Sequence, residues 1–307
     1  MAKIKVRRIN REELAGAAIL RDVVAAELAA YPASRGTLDL DMEIDPNLRH
    51  LMAHDPDGFF TATDHEETLG FAAAHIRSRQ CVLSELWVLP QHHGCGAGRA
   101  LLERIIGYGE RSGVREYLAV VPAEPAIQAL LLGLSFRPLT PVYQFSIERA
   151  LAATLAPSLA RLLPGRDATT DLFNRRGQAD IDRIDRVTRN ITREVDHLYW
   201  LKERRLKAAF VQQGARIAAY AYGSAEQIGP VAGSTPDAAL SGLGWALQLA
   251  VESGAHDLIE VRVPAPFAAA TEAMLDGGAR LEATLMIYGR GLALAFDRSI
   301  LGPVCLP

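Results

Sequence analysis

Two stretches of the 307-residue chain follow the same pattern through strand, turn and helix. "AVVPAEPAIQALLLGLSFR" (119–137) has its counterpart in "VRVPAPFAAATEAMLDGGAR" (261–280), with Pro264 at the place of Pro122 and Arg280 at the place of Arg137. The correspondence extends backwards. "ESGAHDLIEVRVP" (252–264) follows "RSGVREYLAVVP" (111–122), and "IGPVAGSTPDAALSGLGWALQLA" (228–250) occupies the place of "VLPQHHGCGAGRALLERIIGYGE" (88–110). Self-similarity over so long a span means two copies of one supersecondary plan.

Hydrophobic spacing fills in that plan. "IKVRRI" (4–9) reads as a strand and "EELAGAAILRDVVAAELAAY" (12–31) as a helix that breaks at Pro32 and Gly36. A short helix, "NLRHLMAHDP", precedes three adjoining strands, "GFFTATD", "ETLGFAAAHIRSR" and "CVLSELWVLP". Leu101, Leu102, Ile105 and Ile106 stand at helical spacing, so "GRALLERIIGYGERSG" reads as a helix ending near Gly113. "EYLAVV" as strand, "PAIQALLLGL" as helix and "VYQFSIE" as strand complete an α/β (α+β) copy with a mixed sheet. The domains expected are 1–148, a linking segment 149–167 that includes a helix, and 168–307. In the second copy Leu240, Leu243, Leu247 and Val251 form an apolar stripe, and Pro236 with Asp237 suits a first helical turn. "ADIDRIDRVTRNITREVDHLYWL" (179–201) reads as one amphipathic helix whose charged residues face solvent, with Tyr199 and Trp200 in packing rather than in a pocket.

Composition closes off several classes. With 49% hydrophobic and 22% charged residues the chain has ample core, and a formal net charge of -3 lacks the broad positive field of a nucleic-acid binder. No run reaches the about 20 apolar residues of a membrane span, and no secretory segment opens the chain. Cys81, Cys95 and Cys305 show no CxxC spacing, so neither a disulfide framework nor a zinc cage is expected; the expected compartment is the cytoplasm.

"LPQHHGCGAGRALL" (89–102) carries the chemistry. Gly94, Gly96 and Gly98 stand on alternate positions before a helix, so consecutive backbone N–H groups lie bare at its positive end, a place for a phosphate or pyrophosphate. No Gly-Lys-Ser/Thr closes the loop, and GxGxG differs from the dinucleotide GxGxxG. His92, His93 and Cys95 are neighbours in one turn and cannot all point at a single ion, so no metal is expected. Cys95 lacks any visible base for nucleophilic work and reads as a filler.

"SELWVLPQHHGCGAGRALL" resembles the acetyl-coenzyme A signature of the GNAT superfamily of N-acetyltransferases, a Val-x-Pro strand end leading into Q/R-x-x-G-x-G/A, with His93 taken at the position where Gln or Arg is usual. The resemblance covers about residues 4–147 and implies two tandem GNAT-like folds, each a mixed, mostly antiparallel sheet flanked by helices. It implies acetyl-CoA as cosubstrate, with pantetheine lying as an extra strand against Trp87, Val88 and Leu89. The pyrophosphate would rest on His93, Gly94, Cys95, Gly96, Ala97, Gly98 and Arg99. The second copy reads "GSTPDAA" at the loop, where Pro236 removes a donor, so it is expected to be degenerate.

The function implied is transfer of an acetyl group to a primary amine of a small molecule or peptide. A catalytically decayed coenzyme-binding or scaffold protein and an acyl-CoA thioesterase remain open, as does a homodimer. Glu85, three residues before Val88 where related transferases carry an acidic side chain, is the candidate base. A carboxylate near its ordinary value of about 4.3 is a weak base, so the role needs burial beside Trp87 or a relaying water; a salt bridge or a solvated strand position is the alternative. Val88 or Leu89 would offer a backbone N–H to the thioester carbonyl. Many relatives carry a Tyr four residues before the Gly of a Gly-Phe pair; Leu131 and Ser135 stand at those points here, so Tyr143 or water is left as the proton source for the leaving sulfur.

Overall fold

The computed structural model describes residues 4–29, 44–65, 67–167, 175–225, 228–254 and 257–307. They form two compact units, Met1–Pro138 with Tyr288–Leu292 and Leu306, and Leu139–Ile287 with Ala293–Cys305 and Pro307. The division thus falls ahead of the 148/149 boundary expected from the sequence. Pro32 and Gly36, the expected helix breakers, lie outside the described residues.

In the first unit the elements run β1 (Lys5–Arg8), α1 (Leu14–Ala29), α2 (Pro46–His54), β2 (Phe59–Asp64), β3 (Glu67–Arg77), β4 (Gln80–Val88), α3 (Ala97–Arg111), β5 (Glu116–Pro122) and α4 (Pro125–Gly133). The strands lie in the order β1-β2-β3-β4-β5, antiparallel except for the parallel β4–β5 pair. Leu101, Leu102, Ile105 and Ile106 are buried as their spacing predicts, and they seat α3 on the sheet. Gly109 lets that helix come close: a Cβ there would lie 2.7 Å from the Tyr117 ring. Ser135 adopts φ +66°, the left-handed conformation that a glycine would enter at no cost.

The chain continues through β6 (Arg137–Glu148), α5 (Arg149–Ala160), β7 (Gly165–Asp167), α6 (Arg175–Arg189), α7 (Glu194–Leu198), β8 (Lys207–Gln213), β9 (Arg216–Gly223), β10 (Ile228–Gly233), α8 (Pro236–Ser253), β11 (Leu258–Pro264), α9 (Ala268–Asp276), β12 (Arg280–Arg290) and β13 (Ser299–Ile300). The order β8-β9-β10-α8-β11-α9-β12 repeats β2-β3-β4-α3-β5-α4-β6, with β5 and β11 both ending on the matched prolines and β6 and β12 both starting on the matched arginines. In the second unit β13-β10-β9-β8-β7 form one antiparallel sheet, and β11 pairs antiparallel with β6 from Val142 to Glu148. Thr235 caps α8 by accepting the Ala238 N–H, with Pro236 behind it. Gly244 admits α5: a Cβ would lie 2.3 Å from the Ala160 nitrogen. No helix among the described residues is long and apolar enough to cross a membrane.

The stretch 179–201 departs from its expectation. α6 stops at Arg189, Asn190 turns to φ +60°, and the rest forms α7 and a π-type turn over Tyr199–Glu203. Its polar residues are not all solvated: Asp185, Arg193, Asp196 and His197 are buried, while Val187 is exposed. The reason lies on β9, where Tyr220 and Tyr222 point to one face and present two hydroxyls that need polar partners. Arg193 donates to Tyr220 at 2.6 Å, Tyr220 to Asp185 at 2.5 Å, and His197 Nε2 to Asp185 at 2.9 Å, with His197 Nδ1 2.8 Å from the Tyr222 hydroxyl. Tyr199 and Trp200 pack inside, as expected, and the Arg193 guanidinium lies 5.0 Å from the centre of the Trp200 ring.

Candidate active site

The site grows from an irregularity in β4. Its register with β3 shifts between Ala73↔Glu85 and Ala74↔Leu83, which leaves Ser84 as the extra residue of a bulge. Ser84 Oγ lies 2.8 Å from His75 Nδ1 in the buried sheet face, so the bulge is tied to β3. Pairing with β5 ends at the same place: the parallel register runs from Gln80↔Glu116 to Leu83↔Ala119 and no further. Beyond it β4 and β5 part, and among the described residues no strand meets the polar backbone of residues 84–88 on the β5 side.

Glu85 and Trp87, two residues apart, share one face of β4, and the Trp87 indole N–H donates to Glu85 Oε2. Glu85 is 8% exposed. Burial, the largest influence, pushes its carboxyl up to about 7, against the opposing pull of the Trp87 hydrogen bond and of Arg21; Asp45 and Asp22 push the same way as burial. Arg21 on α1 donates to Asp22 at 2.9 Å and to Asp45 at 2.8 Å, while Asp45 caps α2 by accepting the Asn47 N–H. Neither Arg21 nor Asp45 carries a motif, and both were missed in the sequence; only the tertiary fold brings them to Glu85.

Past the strand end, Leu89 donates its N–H to the Leu69 carbonyl at 2.9 Å. Leu89 therefore has no amide to offer a thioester. Alternation along the strand turns the Val88 amide the other way, toward the side that β5 has left. His93 lies beside the same strand end. Its Nε2 donates to the Val88 carbonyl at 2.9 Å, so the ring folds back on the strand end. Counting back from Gly94 and Gly96 in Q/R-x-x-G-x-G/A, the leading position belongs to Gln91, a position the sequence reading gave to His93.

Gly94 (φ +79°) and Gly96 (φ +98°) both take the left-handed conformation, and Gly96 starts α3 with no side-chain cap. Among the described residues a Cβ at Gly94 would meet nothing within 4 Å and one at Gly96 would meet only Ile4, at 3.7 Å. The first helical bond runs from Ala100 to the Gly96 carbonyl, which leaves the amides of Ala97, Gly98 and Arg99 ahead of it as bare donors at the positive end of α3. Cys95 is exposed and Ala97 buried. Arg99 pairs with Glu103 at 2.9 Å on the exposed helix surface. His92 turns to Glu67 at 2.9 Å, apart from His93, and among the described residues no group of three metal-ligating side chains gathers. Leu131, where the resemblance would put a tyrosine, is fully buried in α4.

A bulged strand parts from its parallel neighbour and leads into a bare-amide turn and a helix, which leaves a strand edge and a helix N-terminus open side by side. Residues 20–134 match the model of the acetyltransferase (GNAT) family. The fold of the chain is shared over almost the whole length with a putative acetyltransferase from Pyrococcus horikoshii (15% identity, 96% of this chain and 92% of that one, TM-score 0.71). A GCN5-related N-acetyltransferase from Sphaerobacter thermophilus is similar over 95% of this chain and 98% of its own, at 16% identity and TM-score 0.63. A tandem GNAT protein from the clavulanic acid biosynthesis pathway is similar over 95% and 99% at 12% identity, TM-score 0.57. No curated protein sequence matches the chain significantly.

Proposed function

We propose that the first unit transfers an acetyl group from acetyl-CoA to a primary amine of a small molecule or peptide, with Glu85 as the base. The observation that carries this reading is the junction of two features at the same end of one strand: a buried carboxyl raised to about 7 three residues before the end of β4, and a turn of free amides just past it. The amides of Gly96, Ala97, Gly98 and Arg99 suit the pyrophosphate, and the parted β4 edge suits the amides of the pantetheine arm, which would pair there as an added strand. The Val88 N–H, aimed into the gap, would stabilise negative charge developing on the thioester carbonyl oxygen. Glu85, ionised in about half the molecules near neutral pH, would accept a proton from the incoming ammonium, directly or through one water. The sulfur, with a thiol pKa of about 8.5, leaves as thiolate without a dedicated acid.

The test is thiol release from acetyl-CoA with and without a panel of amines. Release that requires an amine and yields the acetylated amine is expected; equal release without any acceptor would make the protein a thioesterase, and no release at all would leave it a binding protein. A second expectation concerns the loop. Gly96→Val would force a β-branched side chain into φ +98° and bring its methyls over the free amides, so calorimetric coenzyme A binding should be lost while the far-ultraviolet spectrum is retained. Undiminished affinity in that variant would remove the loop from the binding site.

A further inference from the structure

The second unit repeats the frame of the site, and its gap is filled. β10 stands where β4 stands in the first unit, β11 where β5 stands, and the turn 233–235 where the glycine loop stands. Between β10 and β11 runs a segment of the same unit. β13 pairs antiparallel with β10 at Val231↔Ile300 and Ala232↔Ser299, and on its other side Leu301 donates its N–H to the Arg262 carbonyl of β11 at 3.0 Å. Ser299, Ile300 and Leu301 are buried, and Ile300 sits in the core with Val231, Leu247 and Val261.

The turn is answered as well. The Gly233 N–H, where β10 runs into the turn, donates to the Arg298 carbonyl at 3.1 Å, and the Arg298 side chain returns to the Ser234 carbonyl at 3.2 Å. Ser234 gives its N–H to Ala218, and Ala238 gives its own to Thr235 Oγ. Two further features fit the segment to its place. Arg262 Nη1 donates to the Gly302 carbonyl at 3.1 Å, and a Cβ on Gly229 (φ +99°) would lie 2.6 Å from the Leu301 oxygen.

We infer that Arg298–Leu301 is the resident occupant of the second unit's counterpart of the acyl-carrier gap, an extended peptide strand in the position that the proposed function gives to pantetheine in the first unit. The inference rests on that reading for the meaning of the gap and on strand pairing alone for its occupant. Strand addition supplies the main-chain hydrogen bonds, and Ile300 supplies the apolar anchor. The second copy is thus closed by its own chain, beyond what the loss of the glycine loop alone would do, and the protein holds one acyl carrier per chain.

Hydrogen exchange on the full chain tests this. In the wild type, peptides covering 228–233, 258–264 and 298–302 are expected to stay protected to the same degree with and without saturating coenzyme A, while 94–99 gains protection. Ile300→Ser and, without touching the segment, Gly229→Ala should each speed exchange at 228–233 and 258–264 at least tenfold, with coenzyme A still binding one equivalent per chain. Unchanged exchange at both strands in both variants would overturn the inference. So would coenzyme A raising exchange at 298–302, or a second equivalent binding to the wild type. Failure of 94–99 to respond to coenzyme A would instead count against the proposed function, since the exchange of β10 and β11 in the variants is read without any ligand.

Discussion

Glu85→Gln is expected to keep coenzyme A binding and to lower turnover by about two to four orders of magnitude, the range that a positioned general base supplies. Glutamine preserves the shape and an oxygen for the Trp87 indole but holds no exchangeable charge. The pH dependence distinguishes a base from a mere structural contact. With the carboxyl at about 7, the wild-type kcat/KM should rise with pH as Glu85 loses its proton, and the step near 7 should vanish in Glu85→Gln. Stability should respond with the opposite sign. A carboxyl raised above its unfolded value binds its proton more tightly in the folded state, so its contribution is full below about pH 4 and is lost as pH rises through 7. Glu85→Gln should therefore unfold at a higher temperature than wild type at pH 8, and that advantage should disappear at pH 4. A variant with near-normal turnover and an unshifted profile would place the base elsewhere.

The turn at 94–98 and the helix behind it were legible because everything they need is local: glycines at fixed offsets, then apolar residues at helical spacing. The repeat was legible because matched prolines and arginines mark the same strand ends. What made Glu85 unusual was not. Its carboxyl is raised first by burial, and then by Asp45 and Asp22 acting against the pull of Arg21; these residues come from α1 and the cap of α2, and no spacing rule joins those positions to β4. The Ser84 bulge was hidden for a related reason, since one unpaired residue shows only once the partner strand is known. The helix over 179–201 failed on an assumption about charge. A stripe of Asp and Arg normally faces water, yet "AAYAYG" (218–223) put two tyrosine hydroxyls on one face of a buried strand, a signal that polar partners must come inside with them.

That buried cluster sets the last expectation: Asp185→Ala should destabilise the second unit by about 3–5 kcal/mol, because removing one partner of a buried ion pair leaves the other charge uncompensated. Arg193 and Asp185 are 2% and 0% exposed, 3.3 Å apart, and both also hydrogen-bond Tyr220. Burial alone would raise the Asp185 carboxyl; Arg193 and then His197 overcome it and hold it at about 2. The sign follows. A depressed carboxyl stabilises the folded state fully above its unfolded value near 4 and loses that contribution as pH falls toward 2. Since a domain typically has about 5–15 kcal/mol in hand, the loss should appear as a large fall in the urea midpoint by circular dichroism at pH 7. Asp182→Ala is the control. Asp182 faces Arg186 at 3.9 Å on the partly exposed side of α6, and an ion pair of that kind contributes at most about 1 kcal/mol. Between pH 5 and pH 2 the wild type should lose stability more steeply than Asp185→Ala, and the two unfolding curves should converge. If instead Asp185→Ala costs no more than Asp182→Ala, the tyrosine hydroxyls and the apolar packing around Trp200 hold the unit without the charge, and the buried pair contributes nothing to it.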